Sequence, residues 1–239
     1  MKWKCFGVIL LIAVALLAPG IRTIRAAQSD TLGYGNDPRV GEGKDDLSDK
    51  FTFTRVMFGG PVIPGEELGD QGPMWSHDYP DGGLHFSKIL SELSRMRVTL
   101  DTPEKIFRFS DPNLFKYPFA YLCEVGYIDL TEEEVRGMRE YLTRGGFLIV
   151  DDFRGPYQFR NFLYTLGRAF PNYQLKKLDI THPIFNCFFS IKTLDVKPPY
   201  GRFKPEFYGV EDKHGRLMMV INYNNDVSDF WQWSNQSVY

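Results

Sequence analysis

The stretch Gly145-Gly146-Phe147-Leu148-Ile149-Val150-Asp151-Asp152-Phe153, GGFLIVDDF, decides the fold. Phe147 to Val150 are apolar without alternation, the mark of a strand buried on both faces, as at the centre of a parallel sheet covered by helices. The two carboxylates that follow fall at the strand's carboxyl end, where open α/β sheets bind their ligands. Neighbouring strand residues point to opposite faces. While the strand stays regular, then, at most one of Asp151 and Asp152 aims into a crevice, and the other caps a backbone amide of the next turn. Asp152 is assigned to the crevice, with more exposure and with Glu124 as a neighbour.

Elements on either side fit a doubly wound sheet. Thr131 and Glu134 form a capping box, and the helix behind them turns Val135, Met138, Tyr141 and Leu142 inward before stopping at Gly145-Gly146. YPFAYL (117–122) reads as a second buried strand, with Cys123 and Glu124 at its end. FTFTRVMF (51–58) alternates as a strand with one buried face should. LHFSKILSELSRM (84–96) predicts a helix presenting Leu84, Ile89, Leu93 and Met96, followed by a short strand RVTL. The intervening 59–83 holds four prolines and seven glycines, which read as loop through most of its length. Downstream, 157–170 predicts a helix ended by Pro171, and GRLMMVINYNND (215–226) a strand running into a polar turn. The order predicts an open, mostly parallel α/β sheet with helices on both faces.

Residues 1–27 read as a signal peptide: Lys2 and Lys4, an apolar run from Phe6 to Ala18 too short for a comfortable span, then Pro19-Gly20 and small residues at Ala26-Ala27. The expected address is the periplasm or outside the cell, with an uncleaved N-terminal anchor as the alternative and no other membrane contact. Residues 28–50 are polar and rich in Gly and Asp, a flexible linker, and 51–239 form one domain. At 43% hydrophobic residues the chain can fill a core of that size, and a net charge of −2 supplies no field for nucleic acid. Cys123 and Cys187 are expected to be two separate buried thiols.

Chemistry-bearing residues fall in four places. Asp151 and Asp152 are the first, with His182 as a candidate catalytic base. Asp78, Glu124, Asn225, Asp226 and Trp231 are candidate ligand contacts, the amides and carboxylates of NYNNDVSDFWQW reading sugar hydroxyls beside an aromatic face. In HDYPDGGLH, His77, Asp78, Asp81 and His85 are weak metal candidates whose spacing matches no closed zinc pattern. No phosphate loop, dinucleotide fingerprint or serine elbow is present, so no cofactor is expected.

On FTFTRVMF, DYPDGGLHF, KYPFAYL, LTEEEVRGMREYLTRGGFLIVDDF, HPIFNCFF and GRLMMVINYNNDVSDFWQW, the chain resembles a bacterial family, the domain of unknown function numbered 4159. The resemblance implies a flavodoxin-like sandwich similar to class I glutamine amidotransferases, export or membrane association, and no established activity. Enzymes of that wider group carry a nucleophilic cysteine in a sharp elbow. Here no Gly-x-Cys-x-Gly occurs, and Asp151 and Asp152 hold that place. Similar proteins continue with another apolar helix, so a C-terminally truncated product is expected. The missing nucleophile favours a non-catalytic binding or scaffolding domain of the cell envelope, its ligand a glycan or a partner protein. The alternative is a hydrolase, metal-assisted or not, using a strand-end Asp with a His.

Overall fold

The computed structural model describes residues 50–59, 68–70, 72–100, 104–199 and 201–235. The expected signal segment and nearly all of the linker lie outside them. Seven strands form one sheet: β1 (Thr54–Val56), β2 (Lys105–Phe107), β3 (Phe119–Leu122), β4 (Phe147–Phe153), β5 (Leu175–Lys177), β6 (Glu206–Glu211) and β7 (Leu217–Tyr223). Their order is β2-β1-β3-β4-β7-β6-β5. The pairs from β2 through β7 are parallel, and β6 and β5 extend the sheet antiparallel. The parallel part thus has the doubly wound order in which the chain reverses direction between β1 and β3.

Strand alternation sorts the core into two layers. Leu148 and Val150 of β4 join Ala120 and Leu122 of β3 in a cluster with Val135, Met138, Tyr141, Leu142, Phe162 and Leu166. These come from α2 (Glu132–Thr143) and α3 (Gly155–Ala169). Phe147 and Ile149 join Phe119 and Tyr121 on the other face with Phe86, Leu90 and Trp231, from α1 (Asp81–Leu93) and α4 (Ser228–Gln232). Both faces of the sheet are covered, as the unbroken apolar run of β4 requires.

The capping box at Thr131 forms in full, each partner satisfying the other's amide. Packing outweighs it: α2 buries four large apolar side chains, each worth roughly 1.5–3 kcal/mol, against about 1 kcal/mol for a cap.

Three expectations need correction. α1 begins at Asp81 and buries Gly82, Gly83, Phe86, Ser87 and Leu90, while Leu93 is exposed. The helix starts inside the glycine-rich stretch because a Cβ on Gly83 would sit 2.1 Å from the Glu104 carboxylate. Only a residue without one lets the helix pass there. RVTL contributes a single bridge, Val98 to Phe51, and the edge strand is β2. Lastly, β1 is buried on both faces, Val56 in the layer of α2 and α3 and Arg55 beneath Glu104, Trp75 and His77 on the other. Cys123 is buried and Cys187 exposed, both free thiols.

Thr131→Ala should lower stability by about 1 kcal/mol and Leu142→Ala by about 2–5 kcal/mol. Urea denaturation followed by circular dichroism measures both, and near-equal losses would contradict the ranking.

Candidate functional site

The carboxyl ends of β3, β4 and β7 meet the segment 74–81 at one rim. Among the described residues, the non-glycine residues with positive φ are Asp78 (62°), Glu124 (50°), Asp152 (51°) and Asn224 (59°). Each belongs to this rim: Glu124 follows β3, Asp152 ends β4, Asn224 follows β7 and Asp78 precedes α1. Left-handed backbone is uncommon for such residues, for Glu above all, and gathers at functional sites.

Asp152 explains how two adjacent carboxylates serve one rim. Its left-handed turn breaks the alternation of β4, and the pairing with β7 shifts register between Val150 and Phe153. Asp151 stays on the face of Phe147 and Ile149. Its Oδ2 accepts the backbone amides of Val227 and Ser228, each at 2.9 Å, and the Tyr121 hydroxyl lies 3.2 Å away. It therefore anchors α4, not the turn into α3. That turn is held otherwise: Asn224 Oδ1 accepts from the Gly155 amide at 2.9 Å, and Gln158 accepts from the Arg154 amide.

Asp152 Oδ2 lies 2.7 Å from His77 Nδ1, and its Oδ1 lies 2.9 Å from Arg154 Nη2 without alignment for a hydrogen bond. Arg154 Nη2 also reaches Asp226 Oδ2 at 3.3 Å. The Ser228 hydroxyl hydrogen-bonds to the Asp78 carboxylate and lies 3.1 Å from Asp226 Oδ1, which also accepts from the Asp229 amide. Asp78, Asp151, Asp152 and Asp226 are all at most 1% exposed. His77 and Arg154 show about a quarter of their side chains to solvent, at 25% and 23%. Glu124 is half-buried at the same mouth.

Electrostatics follow from this crowding. Two like charges about 4 Å apart repel by roughly 4 kcal/mol near a protein surface. Burial, then the charge of Asp226, raise the Asp78 carboxyl to about 8 and Asp151 to about 7. Burial also pushes Asp152 and Glu124 up. His77 moves the other way in charge: its hydrogen bond to Asp152 stabilises the imidazolium and lifts it to about 10. The rim gathers more carboxyl groups than His77 and Arg154 can pair, and burial favours their protonated forms.

Behind the rim, Arg55 of β1 fixes segment 75–77. Its Nε and Nη2 grip Glu104 at 2.5 and 3.0 Å, and its Nη1 donates to the carbonyls of His77 at 2.8 Å and Trp75 at 3.3 Å. Glu104 Oε1 also accepts from the Gly83 amide at 3.0 Å, in the first turn of α1.

Of the residues singled out from the sequence, Asp78, Glu124, Asp151, Asp152, Asp226 and His77 come together here. Asp152 is buried, against the expected exposure, because His77 and Arg154 cover it. Asn225 is buried beside Phe153 in an isolated bridge. Trp231 is fully buried among Phe53, Phe86 and Tyr121, so no sugar can stack on it. His182 caps the turn 183–185, and its charged neighbours are Glu211, Asp179 and Lys176. It is therefore no partner for the Asp pair. Asp81 is exposed at the start of α1, and His85 Nδ1 contacts the carbonyls of Trp231 and Gln232, tying α1 to α4. Arg55, Arg154 and Ser228 were not singled out, and Asn224 entered only among the amides of NYNNDVSDFWQW. Arg55 standing in the apolar phase of FTFTRVMF, in line with Phe51, Phe53 and Met57, was the available signal.

Among the described residues, His77, Asp78, Asp152 and Asp226 each present a ligand atom, all within 4.8 Å of one another. No helix of the described residues is long and apolar enough to cross a membrane. One family model, described as Domain of unknown function (DUF4159), matches residues 63–239. No curated protein matches the chain.

Asp151→Ala strands two buried amides at 1–3 kcal/mol each, so stability should fall by about 2–6 kcal/mol. Asp226→Asn keeps the Oδ1 acceptor and removes a charge, so stability should hold or rise. Urea midpoints at neutral pH test the pair, and equal losses would contradict this division of roles.

Proposed function

Since the chain belongs to the DUF4159 family, whose description carries no activity, its function has to be argued from the rim, and we propose that it is an exported hydrolase. The convergence of the four strained, polar residues Asp78, Glu124, Asp152 and Asn224 on one strand-end rim carries this reading. Holding such backbone costs on the order of 1–3 kcal/mol per residue. A scaffold with no ligand has no use for that expense.

Chemistry at the rim divides between base and charge. Glu124 stands half-buried at the mouth, placed to take the proton from an attacking water. His77, paired with Asp152 at 2.7 Å, sets positive charge where negative charge develops on the substrate. Arg154, a quarter exposed beside Asp152 and Asp226, orients the substrate from the other side. The N-terminal apolar run supports export, and the absence of a basic field supports a substrate other than nucleic acid.

A second reading keeps the same rim and drops the chemistry. Tyr127 and Tyr157 are 56% and 77% exposed, each three residues past a rim residue, Glu124 and Arg154. Exposed rings beside carboxylates suit a cell-envelope glycan, held without turnover.

A screen of glycoside, ester, amide and phosphoester substrates separates the two. Turnover reduced roughly 100-fold or more by Glu124→Gln, with Glu132→Gln unaffected, is the expected result. Glycan binding weakened by Tyr157→Ala with no turnover of any class would replace the hydrolase reading with the second one.

A further inference from the structure

We propose that the rim binds one hard divalent cation, of the Mn2+ or Mg2+ kind, through Asp78, Asp152, Asp226 and His77. This deepens the hydrolase reading and rests on it for its purpose, because the cation would supply the activated water. Its chemistry stands on separate geometry.

Spacing is the first argument. Around a cation with ligands at 2.0–2.1 Å, adjacent ligand atoms stand about 3 Å apart and opposite ones about 4.2 Å. The four ligand atoms lie within 4.8 Å of one another, and His77 Nδ1 stands 2.7 Å from Asp152 Oδ2. Those two atoms, now joined by a proton, have nearly the spacing of neighbouring ligands.

Unused bonding capacity is the second. Asp78 Oδ1 has no hydrogen-bond partner on a side chain only 1% exposed, and it lies 3.8 Å from His77 Nδ1. Asp152 Oδ1 has the Arg154 guanidinium at 2.9 Å, without alignment for a hydrogen bond. Buried carboxylate oxygens are rarely left this way. In contrast, Asp78 Oδ2 is fixed by the Ser228 hydroxyl and Asp226 Oδ1 by the Asp229 amide. In Asp78 one oxygen is held and the other is without a hydrogen-bond partner, the pattern of a ligand oriented by its second shell, while Asp226 Oδ2 meets Arg154 Nη2 at 3.3 Å. His77 Nε2 faces Asp70 at 3.7 Å, the side on which a carboxylate commonly steadies a ligating imidazole.

Charge is the third. With His77 neutral, three ligand carboxylates and Arg154 leave two negative charges, which a divalent cation balances. Three oxygens and one nitrogen form a donor set for Mg2+ or Mn2+ more than for thiolate-seeking metals. Binding releases the His77 proton to solvent as the metal–nitrogen bond forms, and the cation then carries the positive charge that the imidazolium sets at the rim in its absence.

The test uses the full chain, stripped with chelator, then titrated with MnCl2, MgCl2, CaCl2 and ZnCl2 by calorimetry and thermal denaturation. Expected is one Mn2+ per chain, with heats that vary with the buffer as a proton leaves. The melting temperature should rise by roughly 5–10 °C at about 100 times Kd. Asp78→Asn and Asp226→Asn should each weaken Mn2+ at least tenfold while staying folded. Should either unfold, His77→Gln, at a partly exposed side chain, carries the same expectation. Failure to bind Mn2+ or Mg2+, Zn2+ binding alone, or unchanged affinity in the variants overturns the inference. The two readings fail separately: Mn2+ binding without turnover leaves the cation and removes the hydrolase, and turnover undiminished in chelator does the reverse.

Discussion

Arg55 is the residue on which the rim depends. It is fully buried in a strand between two others, where a guanidinium is costly to desolvate. Glu104 neutralises it through two contacts, and every further donor contact goes to segment 75–77 or to Cys123. The planar fork sets directions as well as charge. The same Glu104 accepts an amide of α1 and excludes any side chain at Gly83. One ion pair thus fixes the height of His77 above the sheet and the start of the helix that follows it. A lysine would keep the charge and lose that geometry.

Asp151 and Asp152 show how little backbone change divides two roles. Had β4 remained regular, the second carboxylate would have pointed into the layer of α2 and α3, in line with Leu148 and Val150. One left-handed residue turns it to the rim instead, and Phe153 takes the apolar side. Asp151 keeps its regular direction and meets the amides of α4, a five-residue helix too short to be stable on its own. Trp231 then closes the layer over Phe86 and Tyr121. Binding geometry and core packing are coupled through adjacent residues, so neither can be altered freely.

The parts of the fold that were legible in the sequence are those where local chemistry and burial agree. The unbroken apolar run of β4, the capping box at Thr131 and the inward face of α2 all read directly from residue order. α1 was legible in part, as a helix with Ile89 toward the core, but its start and the burial of Gly82 and Gly83 depend on Glu104, which is distant in sequence. The rim was half legible. Asp78, Glu124, Asp152 and Asp226 stand out as carboxylates at element ends. That His182 stays away while His77 joins them is a matter of tertiary distance, and no spacing in the chain encodes it. Trp231 misled because an aromatic near polar residues reads alike whether it faces sugar or core.

Lys176 and Lys177 sit side by side on β5, a strand of three residues at the end of the sheet, and project to opposite faces. They pair with Glu211 and Glu206 of β6. A strand from another molecule adding along β5 would have to lay its own side chains between these ammonium groups on both faces. It would find only three residues of ladder in return. The far end of this sheet is therefore guarded against edge-to-edge growth by charge and brevity, which leaves an aromatic-rich chain one fewer route to aggregation.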